Sequence, residues 1–232
     1  MSLIVSVKVP EGIIMAADSR VSMQVRKGDD LKAPAGICHY SDHFQKIFAA
    51  ANGVGLSFCG EMAVESCNLN VYVERFLREK ITADTPITEV APLLLKEMAA
   101  LPKVPSTIFH VGGYVEGAPC LWRVLPKQGR IEAMEDKPLV WDGEGDILAR
   151  VLSPVQLRDG RGHGVNLPDF PVAVNLFSLQ DAADFADHAI RLTMDIMQFQ
   201  IRPKTVGGPV DLLAIRPDGS QWLRRKTLGE PK

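Results

Sequence analysis

The chain has 232 residues, 46% of them apolar, with 26 Lys and Arg against 28 Asp and Glu and a formal net charge of −2. That length fits one large domain or two small ones, and the apolar share supplies a sizeable core. Near-neutral charge removes the electrostatic case for nucleic acid or an anionic membrane, and no apolar run approaches the ~20 residues of a membrane span. The amino terminus lacks the basic-then-apolar pattern of a secretory signal. Cys38, Cys59, Cys67 and Cys120 show neither metal-ligand spacing nor a disulfide framework, which suits reduced thiols in the cytoplasm.

Residues 2–20 read as two β-strands joined by a tight turn. Pro10-Glu11-Gly12 fits a three-residue hairpin loop, Pro in a type I turn and Gly at the bulge position. That loop sets Val9 against Ile13 and Ser2 against Arg20. Period-two alternation then places Asp18 on the face of Ser2 and Arg20. A hydroxyl, a carboxylate and a guanidinium converge beside the amino terminus. Removal of Met1 would give Ser2 a free α-amine, a candidate general base, and serine is small enough for methionine aminopeptidase to allow it.

The hairpin is expected to continue to Val21 and Ser22, and residues 25–43, with Gly28, Pro34 and Gly36, read as a long loop. Segments 45–50 and 54–58 flank Asn52-Gly53, a strong hairpin signal. Apolar spacing predicts an amphipathic helix over 61–80 and a second over 87–101, with Pro92 early in it. Residues 107–114, 118–124, 130–133 and 139–142 read as an antiparallel meander, and 146–152 as a short helix. The Pro- and Gly-rich stretch 153–176 is expected to be irregular, followed by a helix over 181–200. A closing hairpin, 210–215 and 221–225, turns at Pro217-Asp218-Gly219.

Strands, two helices, strands, a helix and strands again predict an α+β fold. The expected architecture is a four-layer α-β-β-α sandwich: two stacked antiparallel sheets flanked by helices, in a single domain spanning 1–232.

Three stretches of this arrangement resemble the proteasome β-subunit branch of the N-terminal nucleophile (Ntn) hydrolases. They are the gapless opening Ile4-Val5-Ser6-Val7-Lys8 through Ala17-Asp18-Ser19-Arg20-Val21, the segment Phe44-Gln45-Lys46-Ile47-Phe48, and Thr205-Val206-Gly207-Gly208-Pro209-Val210-Asp211. The resemblance covers residues 2 to about 225. It implies Ser2 as the nucleophile in place of the family's threonine, Asp18 and Arg20 as its acid and arginine, and Lys46 as the lysine that tunes the nucleophile. It implies Gly60 as the oxyanion-hole donor, set before the predicted helix start where N–H groups point outward. Val21, Phe58 and Met62 would border the pocket for the residue preceding the cut. It further implies a homo-oligomeric ring, with an ATP-dependent unfoldase partner not specified; the histidines and cysteines show no metal-ligand spacing, and neither a metal nor a cofactor is expected. The chain departs from the pattern at Gly143-Glu144-Gly145, where the family has Gly-Ser-Gly, and at Pro203 and Val206, where it has an aspartate and a second serine. Glu144 could supply a carboxylate in place of the supporting serine.

Two functions follow. One is a peptidase or small-amide hydrolase acting through Ser2, favoured by Ser2, Asp18 and Lys46. The other is a non-catalytic proteasome-like subunit with a structural or binding role, favoured by Glu144, Pro203 and Val206. On ordinary grounds Lys46 alone would be a surface lysine, Asp18 and Arg20 an ion pair, and Cys59 core. His39, His43, His110, His163 and His188 would occupy loop or surface positions. Arg224, Arg225 and Lys226 would form a solvated basic end.

Overall fold

The computed structural model describes residues 2–25 and 36–227. Strand β1 (Leu3–Val9) pairs antiparallel with β2 (Gly12–Ala17). A two-stranded ribbon of β3 (Val21–Val25) and β4 (Gly36–Ser41) follows. Strands β5 (Ile47–Ala49) and β6 (Gly55–Gly60) form the Asn52-Gly53 hairpin, Gly53 having φ +80°. A small ribbon, β7 (Ala63–Val64) and β8 (Cys67–Asn68), leads into α1 (Leu69–Lys80), then α2 (Ile87–Ala99). The meander is β9 (Thr107–Val115), β10 (Ala118–Leu125), β11 (Arg130–Ala133) and β12 (Leu139–Gly143). Helix α3 (Asp146–Leu152), an exposed hairpin of β13 (Gln156–Arg158) and β14 (Gly164–Asn166), helix α4 (Leu179–Phe199), and strands β15 (Asp211–Arg216) and β16 (Gly219–Arg224) complete it.

Two five-stranded sheets result, ordered β12-β1-β2-β15-β16 and β11-β10-β9-β6-β5, with antiparallel pairing throughout. Every residue of β2 is buried because the strand is covered on both faces. Leu3, Val5, Val7, Ile14 and Ala16 pack against α4, whose Ala182, Ala183, Ala186 and Ala189 let the helix approach closely. The alternate residues Ile4, Ile13, Met15 and Ala17 pack with Ile47, Cys59 and Leu121 of the other sheet. That second sheet packs with α1 and α2 through Phe76, Val90, Leu94 and Met98. Each buried aliphatic or aromatic side chain contributes about 1.5–3 kcal/mol.

Several expectations need correction. The first hairpin has a two-residue loop: Val9 pairs with Gly12, not Ile13, so the register moves by one. Gly12 serves the strand rather than the turn. A Cβ there would lie 2.6 Å from the Ile215 carbonyl oxygen on β15. Glu11 in the loop accepts the Leu179 N–H (3.1 Å) at the start of α4, where Ser178 and Asp181 form a capping box. The hairpin also ends at Ala17, and β3 turns away to pair with β4 inside the stretch read as a loop. Its residues 26–35 lie outside the described residues.

Helix α1 begins at Leu69 rather than near Glu61, because Ala63-Val64 and Cys67-Asn68 pair as strands around Glu65 (φ +53°). The stretch 153–176 contains the β13–β14 hairpin. The basic end is paired, not simply solvated: Arg224 bonds Asp187, Lys226 bonds Asp211, and Arg225 lies over the Trp222 ring. Cys59, Cys67 and Cys120 are free thiols. Among the described residues no helix is long and apolar enough to cross a membrane.

Candidate active site

Residue pairing carries β1 to its end beside β12, where Leu3 lies opposite Gly143 and the Glu144 N–H donates to the Ser2 carbonyl (2.8 Å). On the other side the shifted register puts Asp18, not Ser19, opposite Leu3, with Asp18 N–H donating to Leu3 O (3.3 Å). The pairing expected between Ser2 and Arg20 is therefore not formed, and Asp18 is held at the strand end instead. Its carboxylate accepts the Leu3 N–H (3.0 Å), the Arg20 N–H (3.1 Å) and the Gly207 N–H (3.1 Å). The fourth donor is Lys46 Nζ at 2.7 Å.

Lys46 is not a surface lysine. It is fully buried and also donates to the Arg20 carbonyl (2.6 Å). Burial pushes its pKa below the ordinary lysine value, and Asp18 opposes that shift. Arg20 does not pair with Asp18. Its guanidinium grips Asp42 in a bidentate fork (2.7 and 2.8 Å) and donates to the Lys204 carbonyl (3.1 Å), so the Asp42 hydrogen bond holds its pKa above the usual range. Gly207 makes room for it, since a Cβ there would meet Arg20 Cζ at 2.4 Å.

Ser2 is fully buried, and its Oγ has no hydrogen-bond partner among the described residues. It lines a cavity of about 280 Å³ with Cys59, Gly60, Thr107, Lys127 and Asp142. Gly60 borders this cavity and a second one of about 690 Å³ that includes Val21, Phe44 and Met62. The two predicted apolar wall residues Val21 and Met62 are thus brought together. Phe58 is not. Its ring lies in the core, stacked on Phe48 (6.1 Å between centroids) with Phe109 at 5.5 Å, and it meets Phe44 edge-on at 6.4 Å. Gly60 stands far from a helix start, since α1 begins nine residues later. The last position of β6 instead has φ +118°, and a Cβ there would lie 2.4 Å from the Ser106 carbonyl. Cys59 is core, its thiol pKa pushed up by burial. A third cavity, about 580 Å³ between the Asn52-Gly53 and Asp218-Gly219 turns, contains none of these residues.

Sequence reasoning missed a second polar cluster. His110, expected at a surface or loop, is fully buried between the sheets. Its Nδ1 meets Ser6 Oγ (2.8 Å) and its Nε2 meets Asp142 Oδ2 (2.9 Å). Arg123 Nε donates to Asp142 Oδ2 (2.7 Å), and its Nη2 donates to Oδ1. Burial alone would raise the Asp142 pKa, but the His110 and Arg123 hydrogen bonds hold it below the usual carboxylate range. The available signal was a hydroxyl at Ser6 and an imidazole at His110, each inside a mostly apolar strand. His43, His163 and His188 are exposed, as expected. Among the described residues, no three His, Cys, Asp or Glu side chains are placed to hold a metal ion.

Glu144 is buried, its Oε2 bonded to Arg202 and its Oε1 without a partner among the described residues. Pro203 and Val206 supply no side-chain hydrogen bond, as their chemistry dictates. Met1 lies outside the described residues.

No family model matches this sequence, and no curated protein matches it. Among solved structures the chain is similar to the Anbu (Gly-1) mutant from Hyphomicrobium sp. strain MC1. The likeness has a TM-score of 0.63 and 20% sequence identity, and covers 97% of this chain and 86% of that one. At that identity it shows the fold, which runs through nearly the whole chain.

Proposed function

We propose that the chain is a proteasome-like Ntn amidohydrolase, most simply a peptidase, acting through Ser2 after removal of Met1. The reading includes a single domain over 1–232 with the four-layer α-β-β-α sandwich of that family. The three apolar clusters, one between the sheets and one between each sheet and its helices, support that layering.

The observation that carries the function is the shared cavity of Ser2 and Gly60, with a buried Lys46–Asp18 pair anchored on the neighbouring Leu3 N–H. In the proposed reaction the free α-amine takes the Ser2 hydroxyl proton as Oγ attacks the amide carbonyl carbon. The Gly60 N–H stabilises the oxyanion, a donation typically worth about 3–4 kcal/mol of barrier. Collapse breaks the C–N bond, and the ammonium returns the proton to the leaving amine. Water, deprotonated by the same amine, then cleaves the acyl ester and restores Ser2. The larger cavity at Val21 and Met62 would receive the residue preceding the cut.

A second reading, a non-catalytic ring component, is favoured by the complete burial of Ser2 and by Glu144, Pro203 and Val206. Intact mass of the purified protein, followed by an epoxyketone or β-lactone probe with peptide mapping, separates the two. Loss of Met1 and adduct formation on Ser2 are expected. Retained Met1, or an unlabelled Ser2 in Met1-free protein, would establish the second reading. Homo-oligomeric ring assembly belongs to both, and light scattering that returned the mass of one chain would remove it.

A further inference from the structure

We propose that Glu144 is a positioning residue whose carboxylate holds the α-ammonium of Ser2 once Met1 is removed. This rests on the reading of Ser2 as an N-terminal residue. The β1–β12 register places Glu144 directly across from Ser2, where the Glu144 N–H closes on the Ser2 carbonyl at 2.8 Å. The approach is so close that a Cβ on Gly143, which has φ +101°, would lie 1.8 Å from the Ser2 carbonyl oxygen. The strand pairing ends at Leu3 and Gly143, so Glu144 sits at the turn that closes over the Ser2 backbone, with its carboxylate directed to Arg202.

Glu144 is only 8% exposed, and its two oxygens are treated differently. Oε2 bonds Arg202, whereas Oε1 has no partner among the described residues. A buried acceptor without a donor costs about 1–3 kcal/mol, so the site favours a donor that the free amine would supply. Arg202 does not fully neutralise Glu144, because it also donates to Asp146 Oδ2 (2.8 Å), and exposed Arg150 stands 3.9 Å from Asp146.

The other charged groups around Ser2 already have partners. Asp18 carries Lys46 and three backbone N–H groups, and Asp142 carries His110 and Arg123. Lys127 in the Ser2 cavity is a cation and repels an ammonium. Cys59, held protonated by burial, adds no charge. Among the described residues next to Ser2 in the chain pairing, Glu144 Oε1 is thus a carboxylate oxygen without a donor.

A carboxylate beside an ammonium favours the protonated form, so Glu144 raises the α-amine pKa above the ordinary value of about 8. The base then becomes proton-free at higher pH, and Glu144 sets the acid limb of any Ser2 chemistry. The direct test is an NMR titration of the 15N-labelled α-amine in full chain beginning at Ser2, released from a fusion by a specific protease. Glu144→Gln keeps the size and removes the charge, and it is expected to make the amine about tenfold more acidic. Arg202→Gln frees the carboxylate from its neutralising partner, and the amine should move the opposite way. Folding of each variant is checked by circular dichroism.

An amine that titrates identically in wild type and both folded variants would overturn the assignment. Substrate is absent from the measurement. A protein that fails the covalent-probe test can therefore still pass this one, and a labelled Ser2 with an unshifted amine would fail Glu144 alone.

Discussion

Two of the buried carboxylates beside the Ser2 strand, Asp18 and Asp142, are held in different ways. Asp18 takes three of its four donors from the backbone, at Leu3, Arg20 and Gly207, and only one from a side chain, Lys46. Asp142 takes its donors from two side chains of the facing sheet, His110 and Arg123. The first carboxylate is tied to the local chain path and stays in place whatever its cation does. The second is an inter-sheet staple, and its geometry depends on how the sheets stack. Asp18 thus fixes the strand end that carries Ser2, while Asp142 walls the Ser2 cavity from across the sandwich.

The sharpest way to break this contrast is to remove Asp18. Asp18→Ala leaves Lys46 fully buried with only the Arg20 carbonyl as partner, and three N–H groups lose their acceptor. Breaking a buried pair from one side costs about 3–5 kcal/mol, so the urea midpoint should fall steeply. Lys46→Met should cost clearly less, because Asp18 keeps its three backbone donors. Equal losses for the two variants would show that the ion pair, not the backbone anchoring, holds Asp18.

This division also explains what could be read from the residues alone. Features whose cause is local were legible: Asn52-Gly53 marked a hairpin, and residues 146–152 a helix with the observed bounds. The site residues Ser2, Asp18, Arg20, Lys46 and Gly60 were named by resemblance, but the backbone donors to Asp18 and the Asp42 partner of Arg20 were not. Gly12 looked like a turn glycine because nothing nearby in sequence announces the Ile215 carbonyl against which it packs. Ala63, Val64 and Cys67 fit helical spacing, yet each pairs across a tight turn instead. The His110–Asp142 bond joins residues 32 apart on different sheets, and only the stacking brings them together. Arg20 was assigned to Asp18 by proximity along the strand, while the fold delivers Asp42.

The staple predicts a defined pH response. The folded pKa of Asp142 is depressed, so its contribution to stability is present above the ordinary carboxylate value of 3.8 and is lost as pH falls through the folded pKa. Asp142→Asn removes charge-assisted hydrogen bonds from His110 and Arg123 and should cost about 2 kcal/mol at pH 7. Chemical denaturation in a pH series should show that wild-type advantage shrinking only below 3.8. A gap that stayed constant down to acid unfolding would mean that Asp142 is not held by its charge.

The smallest effect tests the far end of the staple. An ionised Asp142 can only accept, so the His110 Nε2 meeting it carries the proton. In the neutral imidazole Nδ1 is then an acceptor, and the Ser6 hydroxyl must donate to it. Ser6→Ala removes that donor from a site with no exposure and should cost about 1 kcal/mol, without moving the Asp142 acid limb. If His110 were instead doubly protonated, Ser6 would be an acceptor for a charged donor. Its loss would then approach the cost of Asp142→Asn. The ratio of the two losses at pH 7, together with the 15N shifts of the His110 ring, decides between a neutral relay and a buried imidazolium. A neutral His110 leaves Arg123 as the cation that balances Asp142, so the charge at the Ser2 cavity wall is set from the facing sheet.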